Sequence, residues 1–75
     1  MIIKYKVSRS WKSSRREIFV LDLENKIFPP AVIADILIRI EKEEYEATFY
    51  QGTRPRLIVF SSGKIPRRGQ VEIIG

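Results

Sequence analysis

The chain reads as an α+β domain, an antiparallel sheet of about five strands with one helix on one face, in the order β-β-α-β-β-β. Three observations lead there. Residues 2–8, 17–24 and 45–51 alternate side chains with the period of two that marks a strand. Behind Pro29-Pro30, the side chains of Val32, Ile33, Ile36, Leu37 and Ile40 recur at the spacing of one helix face, and proline is well tolerated in a first helical turn. Residues 56–60 are rich in apolar and β-branched side chains between two turn-forming stretches. Seventy-five residues without a linker or repeat make one domain, 1–75.

Taken in order, Ile3, Tyr5 and Val7 share one face of the first strand, with Ile2, Lys4, Lys6 and Ser8 on the other. Residues 8–16 (SRSWKSSRR) are polar, serine-rich and aperiodic, which predicts a long basic loop at the tip of a hairpin. The returning strand, 17–24, sets Ile18 and Val20 against Phe19, Leu21 and Leu23. A turn at Glu24-Asn25-Lys26 precedes the helix, which spans Pro30 to Lys42 with Asp35, Arg39 and Lys42 on its polar side. A strand over Ala31–Ile40 competes, on the strength of four isoleucines and a valine. The double proline, the Glu-rich tail and the failure of strict alternation favour the helix.

Tyr45, Ala47 and Phe49 then share a face opposite Glu46, Thr48 and Tyr50. Gly52-Thr53-Arg54-Pro55 turns the chain into Arg56–Phe60, expected as a central strand covered on both sides. Ser61-Ser62-Gly63-Lys64 turns it again, and residues 65–70 run into a last strand, 71–74. One helix covers one face of such a sheet. The other face is then either wet or a binding surface.

Composition narrows the chemistry. Cysteine and histidine are both absent, which removes disulfides, thiolate metal sites and the commonest general base. Serines without a histidine to activate them give a nucleophile no partner, so no catalytic residue and no cofactor is expected. Ser61-Ser62-Gly63-Lys64 lacks the flanking residues of a phosphate-binding loop. Glu41, Glu43, Glu44 and Glu46 read as a solvated acidic face, not as metal ligands. The abundance of Ile, Arg, Lys and Glu is the bias of proteins from hot environments. No apolar run approaches the roughly 20 residues of a membrane helix, and Met1-Ile2-Ile3-Lys4 has no signal-peptide pattern. The expectation is a cytoplasmic protein without a membrane partner.

The net charge of +5 is segregated. Residues 1–16 carry six cations and no acid, residues 17–46 carry eight acids against Lys26, Arg39 and Lys42, and residues 47–75 carry five cations and Glu72. If the two basic segments meet in space, the molecule is bipolar. The candidate binding residues follow from that pattern. Arg9, Lys12, Arg15 and Arg16 bracket Trp11, and cations that neutralise phosphates beside a ring that stacks on bases suit a nucleic acid, DNA or RNA. Arg54, Arg56, Lys64, Arg67 and Arg68 form a second basic group, whose plainer role is to keep sheet edges from aggregating. Trp11 folded back as a lid on a small core is the corresponding plain reading of the loop. Taken singly, Phe60, Phe49, Tyr50 and Tyr5 are expected in the core.

Glu44-Tyr45, Phe49, Val59-Phe60-Ser61-Ser62-Gly63-Lys64 and Gly69 resemble the core of one repeat of the TATA-box-binding protein family. The resemblance places residues 17–24 and 30–42 at that family's first strand and first helix. It implies a sheet pressed into a DNA minor groove, with Phe60, and after it Phe49, as wedges between base steps and Ile65 to Arg68 on the groove-facing strand. Pro66, Arg67 and Arg68 replace the apolar and threonine side chains that touch base edges in the family, and one repeat stands here instead of two.

Two functions follow as expectations. The first is a small non-enzymatic nucleic-acid-binding protein that uses basic loops and an aromatic sheet surface, with a homodimer extending that surface. The second is a protein-interaction module, such as a small viral or plasmid regulator, docking on an acidic surface of a host protein.

Overall fold

The computed structural model describes residues 2–24, 33–50 and 54–74. They form six strands: β1 (Ile2–Ser13), β2 (Arg16–Leu23), β3 (Ile33–Ile40), β4 (Glu43–Tyr50), β5 (Arg56–Ser61) and β6 (Arg68–Ile73). All neighbours are antiparallel, and the order β1-β2-β5-β4-β3-β6 closes into a barrel. Strands β3, β4 and β5 form a meander, and β6 returns beside β3 in the manner of a Greek key.

The expected α+β class is thereby corrected to all-β, with six strands instead of about five and no helix among the described residues. The helix start at Pro29-Pro30 and the turn at 24–26 fall largely on residues 25–32, outside the described ones. From residue 33 onward the helix is strand β3. The cause is Leu37. Ile38 and Ile40 face the core and Ile36 packs at its edge, while Asp35 and Arg39 point outward between them. Leu37 also points outward and is exposed. An apolar residue on the wet face breaks the alternation and adds to a helical stripe on paper. The β-branched isoleucines, stiff at χ1, suit the pleated strand better.

Closure also changes what covers the sheet. Its inner face is the core, so neither a helix nor a ligand is needed to shield it. Ile3, Tyr5 and Val7 meet Phe19, Leu21, Phe49, Leu57 and Val59 inside. Strands β5 and β6 stand opposite each other in the ring, so residues 62–67 cross one mouth of the barrel. Ile65 dips from that crossing into the core. The Tyr5 hydroxyl donates to the Pro66 carbonyl at 2.7 Å and ties the crossing to β1.

The hairpins are tighter than expected. Residues 8–16 are not a loop: β1 continues to Ser13, and a two-residue turn at Ser14-Arg15 leads straight into β2. Ser14 has φ 62°, and Glu41, first in the equivalent β3–β4 turn, has φ 58°. Positive φ at the first turn position is the geometry that glycine fills without strain.

Candidate nucleic-acid interface

An antiparallel strand puts every second side chain on the outer wall, and one irregularity in β1 decides which ones. Tyr5 faces Leu23 and Val7 faces Leu21, but Arg9, not Ser8, faces Val20, so β1 carries an extra residue there. If Ser8 were paired and the strand ran regularly, Arg9 and Trp11 would continue the inward set Ile3, Tyr5, Val7. With the bulge, both turn outward and Ser10 and Lys12 turn to the other face, opposite Phe19 and Glu17. The hydroxyl of Ser8 donates to the Val20 carbonyl at 3.2 Å and holds the bulge.

The outer wall of β1, β2 and β5 therefore carries a row, Trp11–Ile18–Phe60, in direct cross-strand register. Trp11 is 45% and Phe60 49% exposed, while Ile18 between them is only 8% exposed. The two rings shelter it. The next outward row is Arg9–Val20–Ile58, and the Arg9 guanidinium lies 5.6 Å from the centroid of the Trp11 ring, a cation–π contact that braces the indole. Phe60 is accordingly neither core nor covered, and β5 is not shielded on both sides as expected. Phe49 and Tyr5 are buried in the core, and Tyr50 is half-buried.

A third outward row carries charge: Arg68–Lys6–Asp22–Arg56, one residue from each of β6, β1, β2 and β5. Arg54 reaches Asp22 at 3.5 Å from the same side. Asp22 thus sits among four cations, with its other carboxylate oxygen buried and unpartnered. The charged residues lining a shallow depression beside it are Lys4, Lys6, Asp22, Glu24, Arg54 and Arg68. Lys4 and Lys6 complete this surface although the sequence reading left them out. Their signal was the outward half of the β1 alternation.

The strand order explains the charge map. Strands β6, β1, β2 and β5 are contiguous around the ring and hold Lys4, Lys6, Arg9, Lys12, Arg16, Arg56 and Arg68, whereas β4 and β3 occupy the remaining arc. That arc bears Asp35, Glu44 and Glu46 on a groove walled by Leu37 and Phe60. Its one outward cation, Arg39, is bound on both sides, to Glu44 and Glu72 at 3.0 Å each. These bonds hold the guanidinium pKa above its ordinary value, the hydrogen bond to Glu44 first. Among the described residues, no three acidic side chains converge as metal ligands would.

The candidates do not all converge. Arg9, Trp11, Arg16 and Phe60 share one patch. Arg54, Arg56 and Arg68 share the row near Asp22. Arg15 lies at the β1–β2 turn and Lys64 and Arg67 on the mouth-crossing segment, all exposed, while Lys12 is on the ribbon face away from Trp11. Ile65 is buried and Arg67 lends its carbonyl to the Val7 amide at 2.8 Å. Ser61 is buried as well, its hydroxyl bonded to both backbone groups of Gly63, so this serine serves the turn.

No helix among the described residues is long and apolar enough to cross a membrane. No family model, no curated protein and no solved structure matches this chain.

Proposed function

We propose that this protein is a non-enzymatic nucleic-acid-binding module whose contact surface is the outer wall formed by β6, β1, β2 and β5. One observation carries the reading. The two basic segments of the chain occupy neighbouring strands, and the exposed rings of Trp11 and Phe60 stand on that same wall. Clustered Lys and Arg supply the sequence-independent attraction to phosphates, and rings supply contacts that a merely cationic surface lacks. The acidic arc of β3 and β4 repels a polyanion and orients the barrel on it. An electrophoretic mobility shift over a salt series tests this, with affinity expected to fall steeply as salt rises. Absence of any shift with DNA or RNA at low salt rejects it.

A second reading has its own observation. From Arg9 to Ser13, β1 is paired with β2 alone among the described strands, which leaves one backbone edge open beside several cations. An extended acidic segment of a partner protein fits such an edge. Capture of a protein partner that survives nuclease treatment and is lost on Ser10→Pro favours this reading over the first.

A further inference from the structure

We infer that the ligand of this wall is a single-stranded nucleic acid whose bases stack on Trp11 and Phe60; the inference rests on the nucleic-acid reading above and specifies it. Trp11 and Phe60 stand on β1 and β5 with β2 between them, two strand spacings or about 9–10 Å apart. Neighbouring bases in a duplex lie about 3.4 Å apart, so two bases resting on these rings are no longer stacked on each other. A duplex also keeps its base faces covered. On the convex outside of a closed barrel it would offer chiefly phosphates and sugars, and the rings would reach its bases only by wedging between steps, which requires kinking the duplex.

The surroundings of the rings fit a strand lying across the wall. Arg16 is two residues from Ile18 on the same face of β2, and Arg9 occupies the row on the other side of Trp11. Arginine thus brackets the ring row at its β1–β2 end, whereas Phe60 at the other end borders the groove that carries Glu44 and Glu46. Arg9 packed on Trp11 at 5.6 Å fixes the indole before the ligand arrives, which lowers the entropy lost when a base stacks on it. Beyond Arg9, the row Arg68–Lys6–Asp22–Arg56 runs parallel to the ring row and offers the phosphates a second line of positive charge. Bases on rings with backbone on cations is a sequence-tolerant arrangement, because every base has a face and every nucleotide a phosphate.

The test is fluorescence anisotropy at low salt with labelled oligo-dT, oligo-U and a mixed-sequence duplex, each about 12 nucleotides or base pairs long, within the range one small domain occupies. At least one single strand is expected to bind more than about tenfold tighter than the duplex. Trp11→Ala and Phe60→Ala should each weaken that binding by about 5- to 150-fold, the worth of one stacked base, with the salt slope unchanged. Trp11→Phe, which keeps a ring, should retain most of the affinity and guards against a variant that fails through misfolding. Equal binding of duplex and single strand, unaffected by Trp11→Ala, overturns the inference and leaves the nucleic-acid reading standing. No binding of any probe removes both.

Discussion

Ser8 donates its hydroxyl to the backbone carbonyl of Val20 at 3.2 Å, at the one point where β1 carries an extra residue against β2. Everything beyond that point on β1 faces the opposite way from a regular strand, and Trp11 stands outside because of it. Deleting Ser8 removes the extra residue and leaves Val7 facing Leu21 and Arg9 facing Val20 in simple alternation, so Trp11 should keep its outward place opposite Ile18. The expected readout is an unchanged emission maximum from this sole tryptophan, with single-strand binding retained. Ser8→Ala should keep the bulge and cost about 0.5–1.5 kcal/mol, the net value of one hydrogen bond. A blue-shifted emission maximum in the deletion variant contradicts this account of the bulge.

The charged row makes a quantitative demand on binding. Lys6→Ala, Arg56→Ala and Arg68→Ala should each lower the slope of log affinity against log salt by about 0.7 with a single strand, and do so alike for every sequence. Asp22→Asn should act in the other direction. It removes the one carboxylate from the row and should tighten binding by a few fold, on the order of 1 kcal/mol for a nearby surface charge. Weaker binding by Asp22→Asn, in a variant with unchanged thermal stability, would show that the carboxylate positions Arg54 and Arg56 instead of opposing the ligand.

The two tight turns are strained in the same place. Ser14 and Glu41 both hold positive φ, where a side chain costs about 1–2 kcal/mol relative to glycine. Ser14→Gly should therefore stabilise the barrel by about 1 kcal/mol after the greater chain entropy of unfolded glycine is deducted. For a domain of this size that corresponds to roughly 4–8 °C in the thermal midpoint. A lower midpoint would mean that the Ser14 side chain is engaged by a neighbour.

Tyr5 supplies a pH dependence. Its phenol lies against the core, and burial, followed by the nearby charges of Glu41 and Tyr45, raises its pKa above the ordinary value of 10.0. The folded chain thus keeps this proton at a pH where the unfolded chain releases it. Stability from this group is complete below pH 10 and is lost as pH climbs from there through the raised value. Tyr5→Phe should lose about 0.5–1.5 kcal/mol at neutral pH with the bond to the Pro66 carbonyl, and should show a shallower alkaline decline than the parent. Denaturant titrations at neutral and strongly alkaline pH check both halves, and parallel declines would assign the alkaline loss to other groups.

Period-two patterning was legible wherever it was unbroken. The inward sets Ile3-Tyr5-Val7, Phe19-Leu21-Leu23 and Ala47-Phe49 stand where alternation put them, and Tyr45 packs at the core edge beside them. It failed at two places for opposite reasons. At Leu37 an apolar side chain occupies a wet position, and a strand passed for a helix. At residues 8–13 the side chains are so uniformly polar that a paired strand passed for a loop, and its one large apolar residue faces out. Of the candidate interface, the charge blocks and Trp11 were visible, and Phe60 was named through the family resemblance although taken singly it was expected in the core, whereas Lys4 and Lys6 were passed over.

What the amino acids determined by themselves was local and additive: net charge, its segregation into blocks, the absence of histidine and cysteine, and which residues alternate. Only the closed sheet decided the rest. Strand order is set by pairing between distant segments, and it brought β6 beside β1 and β5 beside β2, so that two basic stretches far apart in the chain became one wall. Register is likewise a long-range property. Absorbing Ser8 as a bulge against Val20, instead of pairing it, chose the side of the barrel on which a tryptophan stands, because successive strand side chains leave only two directions to face.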